Sequence, residues 1–185
     1  MILTVGTICH RKHQETIVRA LRLVAKHRDD FCAYLVGARE EEPYLHALQR
    51  LVRRYRLGER VRIVPETDDV WRYYLAADLF AFSSLNECYS LAILEAMAFG
   101  LPIVTTPCGG IGEQVRIDVN AFTYRFEDHF DMAEKLERLI ADDELRQRMG
   151  RNSRNMHTYM QSFDEMLTKY EQLLLGAWQV GAGSG

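Results

Sequence analysis

No CxxC pair occurs among the four cysteines, Cys9, Cys32, Cys88 and Cys108, which argues against both a zinc site and a disulfide framework. No apolar run reaches the ~20 residues of a membrane span. The start, Met1-Ile2-Leu3-Thr4-Val5-Gly6-Thr7, lacks the basic segment and apolar core of a signal peptide. The 26 acidic and 23 basic side chains nearly cancel to a formal charge of -3, so bulk electrostatics point to no nucleic-acid partner. A Gly-x-x-x-x-Gly-Lys-Ser/Thr phosphate loop, a Gly-x-Gly-x-x-Gly fingerprint and an Asp-x-Asp metal motif are all missing. There is no internal repeat and no low-complexity tract. These absences leave an ordinary globular chain, and a reducing, cytoplasmic location is the expectation.

What is present is an alternation of short apolar runs and amphipathic stretches. The 185 residues suffice for one domain with a substantial core. Ile2–Val5, Phe31–Val36 (stopped by Gly37), Val61–Val64 (ended by Pro65), Leu79–Phe82, Ile103–Thr105 and the weaker Ala121–Tyr124 read as strands. Gln14–Lys26, Tyr44–Tyr55, Trp71–Ala77 and the segment around Glu95 read as helices, with Gly58 as the stop after the second. Three further helices are expected over roughly 130–141, 143–157 and 162–176. Nearly all-apolar strands alternating with helices indicate an α/β fold, a Rossmann-like doubly wound parallel sheet with helices on both faces. Ligands of such sheets bind at the carboxyl ends of the strands, where strand order reverses. The loops there are Gly6–His13, Gly37–Glu42, Pro65–Asp69, Ser83–Tyr89 and Thr106–Glu113. The tail Gly181-Ala182-Gly183-Ser184-Gly185 has linker composition.

Glu95 is the only polar side chain between Leu91 and Phe99. A helix apolar all round is normally buried, and a carboxylate rarely enters such a place alone. Glu95 therefore either meets a fixed donor in the protein or lines a cleft and meets a ligand. Helix entry near Ser90 leaves free backbone N–H groups, a ready anion site, and Glu95 lies roughly 7–8 Å further along the axis at 1.5 Å per residue. Glu87 lies just before the helix, either as a solvated acid favoured by the dipole or as a ligand contact. A ligand with an anionic middle and hydroxylated ends, such as a nucleoside diphosphate sugar, fits the pair.

In Thr7-Ile8-Cys9-His10-Arg11-Lys12-His13, four of the seven side chains can carry positive charge. Lys12 there could neutralise phosphate as a point charge, or be one member of a solvated basic loop. His10 and His13 read as polar loop residues. Cys9, Cys88 and Cys108 fall near strand ends, but no base is marked out to activate a thiolate, so they read as small filler. Gly109-Gly110 permits either close backbone approach to a ligand or a plain turn.

Taken together, these residues resemble the carboxyl-terminal domain of the GT-B retaining glycosyltransferases, the large "group 1" or GT4 family, from about Ile2 to about Tyr170. The most specific string is Glu87-x7-Glu95, continuing as Ala96-Met97-Ala98-x-Gly100-x-Pro102. Val5-Gly6, Arg11-Lys12, Leu35-Val36-Gly37, Val61-x-Ile63, Ala76-Ala77-Asp78 and Gly109-Gly110-Ile111-x-Glu113-x-Val115 surround it in the family's order. The resemblance implies that Glu87 contacts donor-sugar hydroxyls, Glu95 the ribose, and Lys12 the diphosphate. Glu87 and Lys12 would be the catalytic pair. Backbone amides of Tyr89, Ser90 and Leu91 would help hold the phosphates, and the loop after Val61–Val64 would line the base pocket. Cys88, Gly6, Thr7, Arg11, Gly37, Gly109 and Gly110 complete the implied donor site. No metal or other cofactor is implied.

The chain departs from the family at four places. Thr7 stands where many members have arginine, leaving Arg11 to supply that charge. Cys88-Tyr89-Ser90 replaces the common Gly-Phe-Gly, with Ser90 suited to cap the helix. His13 replaces the glycine after the lysine. The family also has a second, amino-terminal domain that binds the acceptor. Residues 1–178 are expected to form the donor-binding domain, 179–185 a flexible tail, and the acceptor domain to be absent from this chain. The isolated domain is then expected to bind a nucleotide sugar and transfer slowly or not at all. The alternative is an inactive nucleotide-sugar-binding or regulatory module, and a further one is a flavodoxin-like interaction domain. Peripheral membrane association is an expectation for the full enzyme only. The stripe Phe163, Met166, Leu167, Tyr170, Leu173 and Leu174 is expected to pack on its own domain or to drive self-association.

Overall fold

Ile2 and Leu3 are adjacent in sequence and enter different hydrophobic cores, as the two-residue period of a strand requires. The same division separates Leu35 from Val36 and Leu79 and Ala81 from Phe80 and Phe82. Both faces of the sheet are therefore apolar, which is why the strands read as continuous hydrophobic runs. In this computed structural model, which describes residues 1–160, 165 and 167–173, six strands form one sheet. They are β1 Ile2–Val5, β2 Ala33–Gly37, β3 Val61–Pro65, β4 Leu79–Ala81, β5 Ile103–Thr105 and β6 Ala121–Thr123, all parallel, in the order β3-β2-β1-β4-β5-β6.

The helices are α1 Gln14–Val24, α2 Glu42–Arg54, α3 Val70–Ala76, α4 Leu91–Ala98, α5 Ile111–Gln114, α6 His129–Ala141 and α7 Asp143–Thr158. One core takes Ile17, Leu21 and Val24 of α1, Leu45 and Leu48 of α2, and Met132 and Leu136 of α6. The other takes Tyr74 of α3, Ile93, Ala96 and Met97 of α4, and Ile111 of α5. The chain steps outward from β1 to β3, then crosses back to place β4 on the other side of β1. That reversal puts the loops after β1 and β4 side by side at the carboxyl edge, where a doubly wound sheet binds ligands.

Two local expectations are corrected. The stop after α2 is Arg56, not Gly58. Arg56 takes φ +57, its N–H bonds to Arg53 C=O and that of Leu57 to Val52 C=O, both at 3.0 Å. This is the two-bond helix stop that needs one left-handed residue, closed by buried Leu57. Second, α4 is not buried all round. Leu91 is 71% exposed, and Glu95 also faces solvent. The helix is buried at Ile93, Ala96 and Met97, with Ala92 packed partly against the same core, while Leu91 and Glu95 are exposed.

The helices expected over roughly 130–141 and 143–157 are α6 and α7. Residues 165 and 167–173 are helical, within the third expected helix. In its apolar stripe Leu167, Tyr170 and Leu173 are exposed, while Phe163, Met166, Leu174 and the tail 179–185 lie outside the described residues. Among the described residues, no helix is long and apolar enough to cross a membrane.

Candidate functional site

Three loops at the carboxyl edge are tied into one platform. The loop after β4 is pinned to the one after β1 by Leu85 N–H to Arg11 C=O at 2.9 Å and Ser83 Oγ to Lys12 C=O at 2.7 Å. It is pinned to the loop after β5 by Thr106 Oγ1 to Ser84 C=O at 2.7 Å and Gly110 N–H to Glu87 C=O at 2.9 Å. Gly109 and Gly110 are required by this packing. A Cβ on Gly109 would sit 1.9 Å from the Glu87 carbonyl oxygen, and one on Gly110 1.8 Å from that of Cys88. The backbone these glycines admit is the chain's own. Gly37 serves β1 in the same way, since a Cβ there would lie 2.0 Å from the carbonyl oxygen of Gly6.

Glu87 stands on this platform. Its Oε1 accepts from Lys12 Nζ at 2.6 Å, Ser84 Oγ at 2.7 Å and Arg11 Nη1 at 2.8 Å. Among the described residues, no donor reaches its Oε2. Burial alone would push the Glu87 carboxyl up, but the Lys12 and Ser84 hydrogen bonds and the charges of Lys12 and Arg11 outweigh it, so the group lies below the usual carboxylate range. Both cations come from one 3-10 turn, His10–Lys12. Lys12 is mostly buried and lies 4.9 Å over the Phe82 ring, whereas Arg11 is half exposed. The turn ends on His13 with φ +48, a left-handed position that glycine adopts without strain. His13 is held there by Thr16 Oγ1 at 2.8 Å, Glu15 at 3.0 Å, Glu127 at 3.3 Å and the Phe126 ring. The Thr7 carbonyl accepts from Gln14 Nε2 at 2.7 Å.

Ser90 caps α4, its Oγ accepting from Ile93 N–H at 3.4 Å. Its own N–H is committed to Gln114 Oε1 at 2.9 Å, so that amide is occupied within the protein. The amides of Tyr89 and Leu91 meet no acceptor among the described residues. Cys88 is exposed at the rim, and Tyr89 is half exposed with its hydroxyl 4.0 Å from Met160 Sδ.

Glu95 meets the first alternative open from sequence, a fixed donor within the protein. It faces solvent, and it has a fixed donor: Tyr74 Oη gives its hydrogen to Oε2 at 2.7 Å. Tyr74 is buried, with Phe80 and Phe99 ring centroids 5.9 and 5.4 Å away, so its hydroxyl points at the carboxylate from a rigid base. Burial, then the bond to Glu95, push the phenol far above its ordinary range, so it stays a neutral donor. Sequence reasoning missed Tyr74 and Gln114. Each acts on a residue at least 21 positions away, and nothing in its own segment marks it.

Among the described residues, no group of three or more His, Cys, Asp or Glu could hold a metal ion. All four cysteines are free. A concavity of about 500 Å³ lies elsewhere, beside α3, lined by Tyr34, Tyr73, Arg72, Asp69 and Thr67. The platform itself is an open rim carrying two carboxylates, two cations and a capped helix start.

A family model, "Glycosyl transferases group 1", matches residues 1–156. An uncharacterized glycosyltransferase of Haemophilus influenzae is 32% identical over 156 residues, covering 84% of this chain and 43% of its own. The N-acetyl-alpha-D-glucosaminyl L-malate synthase of Bacillus anthracis is 27% identical over 139 residues, 75% of this chain and 36% of its own. The chain thus spans less than half the length of these relatives. Among solved structures, Anabaena HepE in complex with UDP and glucose superposes with a TM-score of 0.86 at 23% identity, over 94% of this chain and 47% of that one. The C-terminal domain of a group 1 family protein from Francisella tularensis superposes with a TM-score of 0.76 at 22% identity, over 85% and 84% of the two chains.

Proposed function

This chain belongs to the group 1 glycosyltransferase family, and from that premise we propose that it is the donor-binding half of a retaining enzyme that takes sugar from a nucleoside diphosphate sugar. The observation that carries this reading is the Glu87 cluster beside the start of α4. Lys12 and Arg11 meet at Glu87, in the loop that leads into the Leu91 start of α4, and this supports a diphosphate seat there. Glu87 Oε2 and the carboxylate of Glu95 remain as acceptors for hydroxyls on either side. In the transfer, the bond between the sugar's anomeric carbon and the diphosphate oxygen breaks, the oxygen of an acceptor hydroxyl bonds to that carbon, and its proton leaves with the diphosphate. Negative charge then grows on the leaving diphosphate. Lys12 and the helix start are fixed in advance to meet that charge, the arrangement that contributes most to many such steps. Tyr74 holds one oxygen of Glu95 and so orients the other toward the ribose.

UDP is the first nucleotide to test, because HepE was solved with UDP bound. We place acceptor binding outside the segment matched here, which is less than half of the relatives' length, so transfer by these 185 residues alone is expected to be slow or absent. Thermal-shift titration with UDP-, GDP-, ADP- and TDP-sugars tests the reading. At least one should raise the melting temperature, and Glu95→Ala should weaken that response. Full response in the variant would reject the ribose role.

A further inference from the structure

Gln114, the last residue of α5, is fully buried. It grips Ser90 twice: Oε1 accepts from Ser90 N–H and Nε2 donates to Ser90 C=O, each at 2.9 Å. The two groups belong to the two peptide units that flank Ser90. In a trans peptide, N–H and C=O point in opposite directions. The Ser90 carbonyl is held inward by Gln114 and by Leu94 N–H at 3.2 Å. The N–H of that same unit, which is Leu91's, is therefore turned outward from the start of α4. Ser90 Oγ meanwhile takes Ile93 N–H, removing one other free donor of the first turn.

We infer that Gln114 is a positioning residue for the diphosphate: through Ser90 it aims the Leu91 amide at the ligand and withdraws the Ser90 amide from it. This rests on reading the start of α4 as the diphosphate site. Hydrophobic packing does not need an amide here, because an apolar side chain of similar shape would fill the same space. What it could not do is orient two peptide units at once.

The test compares Gln114→Met, which removes both bonds, with Gln114→Glu, which keeps an acceptor for Ser90 N–H and loses the donor to its C=O. Each is titrated with whichever of UDP, GDP, ADP and TDP the wild type binds best, and with the corresponding nucleoside. Diphosphate affinity should fall about ten-fold in both variants, the scale of one oriented hydrogen bond to a charged group. Nucleoside affinity should change less than about two-fold, since the nucleoside carries no charge for the amide to meet. The Leu91 amide resonance should shift in the ligand-free variants. Equal loss for nucleoside and diphosphate, or no loss in either, would overturn the inference and leave the site reading standing. A wild type that binds no nucleoside diphosphate would overturn both.

Discussion

Replacing Glu87 with Gln should strengthen binding of a bare nucleoside diphosphate while weakening the grip on its sugar. Lys12 and Arg11 both rest on Glu87 Oε1. Lys12 Nζ is 2.6 Å from that oxygen. A phosphate oxygen on the far side of the ammonium, at an ordinary ~2.8 Å, lies within about 5 Å of the carboxylate. Two unit charges at that separation repel by about 3 kcal/mol at an effective dielectric constant of 20. Solvent and salt at an open rim reduce this to about 1 kcal/mol, or about five-fold in affinity. The sugar meets the opposite change. Its hydroxyls lose a charged acceptor, a difference of about 1.4 kcal/mol, so the affinity gained from the sugar drops about ten-fold. Isothermal titration of wild type and Glu87→Gln with UDP and UDP-glucose reads both quantities, with melting curves to confirm folding. UDP affinity that falls in the variant, in step with that for UDP-glucose, would refute the reasoning.

Tyr74→Phe should leave the core packed, since the ring is retained, and cost about three- to ten-fold in nucleotide-sugar affinity by freeing the Glu95 carboxylate; unchanged titration would remove Tyr74 from the site. Gly110→Ala should lower the melting temperature and abolish nucleotide response, because its Cβ would meet the Cys88 carbonyl oxygen at 1.8 Å; a variant with native melting and binding would show that the two loops part freely. Ser90→Ala removes the α4 cap and should cost about 1 kcal/mol of stability, readable in denaturant unfolding. Glu87 has a lowered folded value, so its stabilising contribution is fully present above the ordinary carboxyl value of 4.5 and is lost as pH falls through that lower value. Stability between pH 2 and 5 should therefore be less pH-dependent in Glu87→Gln than in wild type, measured by urea unfolding; identical slopes would contradict the ion-pair account.

The sheet was legible because its strands are apolar on both faces and bounded by Gly and Pro. The Glu87-x7-Glu95 string was legible because its residue types and spacing are specific. What misled was α4. Its composition is that of a buried helix, but composition does not record that one face rests on the sheet while Leu91 and Glu95 reach the rim. The Gly109-Gly110 pair left close approach to a ligand and a plain turn both open, and what approaches is the Glu87-Cys88 backbone, which only tertiary structure reveals. Tyr74 and Gln114 were invisible for a related reason. Their hydrogen bonds join separate helices and the loop at the start of α4, and no periodicity within one element encodes such a partner. His13 looked like a loss of the family's glycine, whereas its left-handed backbone is held by contacts from α1 and from Phe126 and Glu127.

The most direct measurement is a crystal structure of this chain soaked with UDP-glucose. The expected result has ribose hydroxyls on Glu95, the diphosphate on Lys12 and the Leu91 amide, and glucose hydroxyls on Glu87 Oε2, at hydrogen-bond distances of about 2.6–3.2 Å. Nucleotide seated in the concavity between Tyr34 and Tyr73, with Glu87 still bound to Lys12 and Arg11 and Glu95 facing only water, would contradict it.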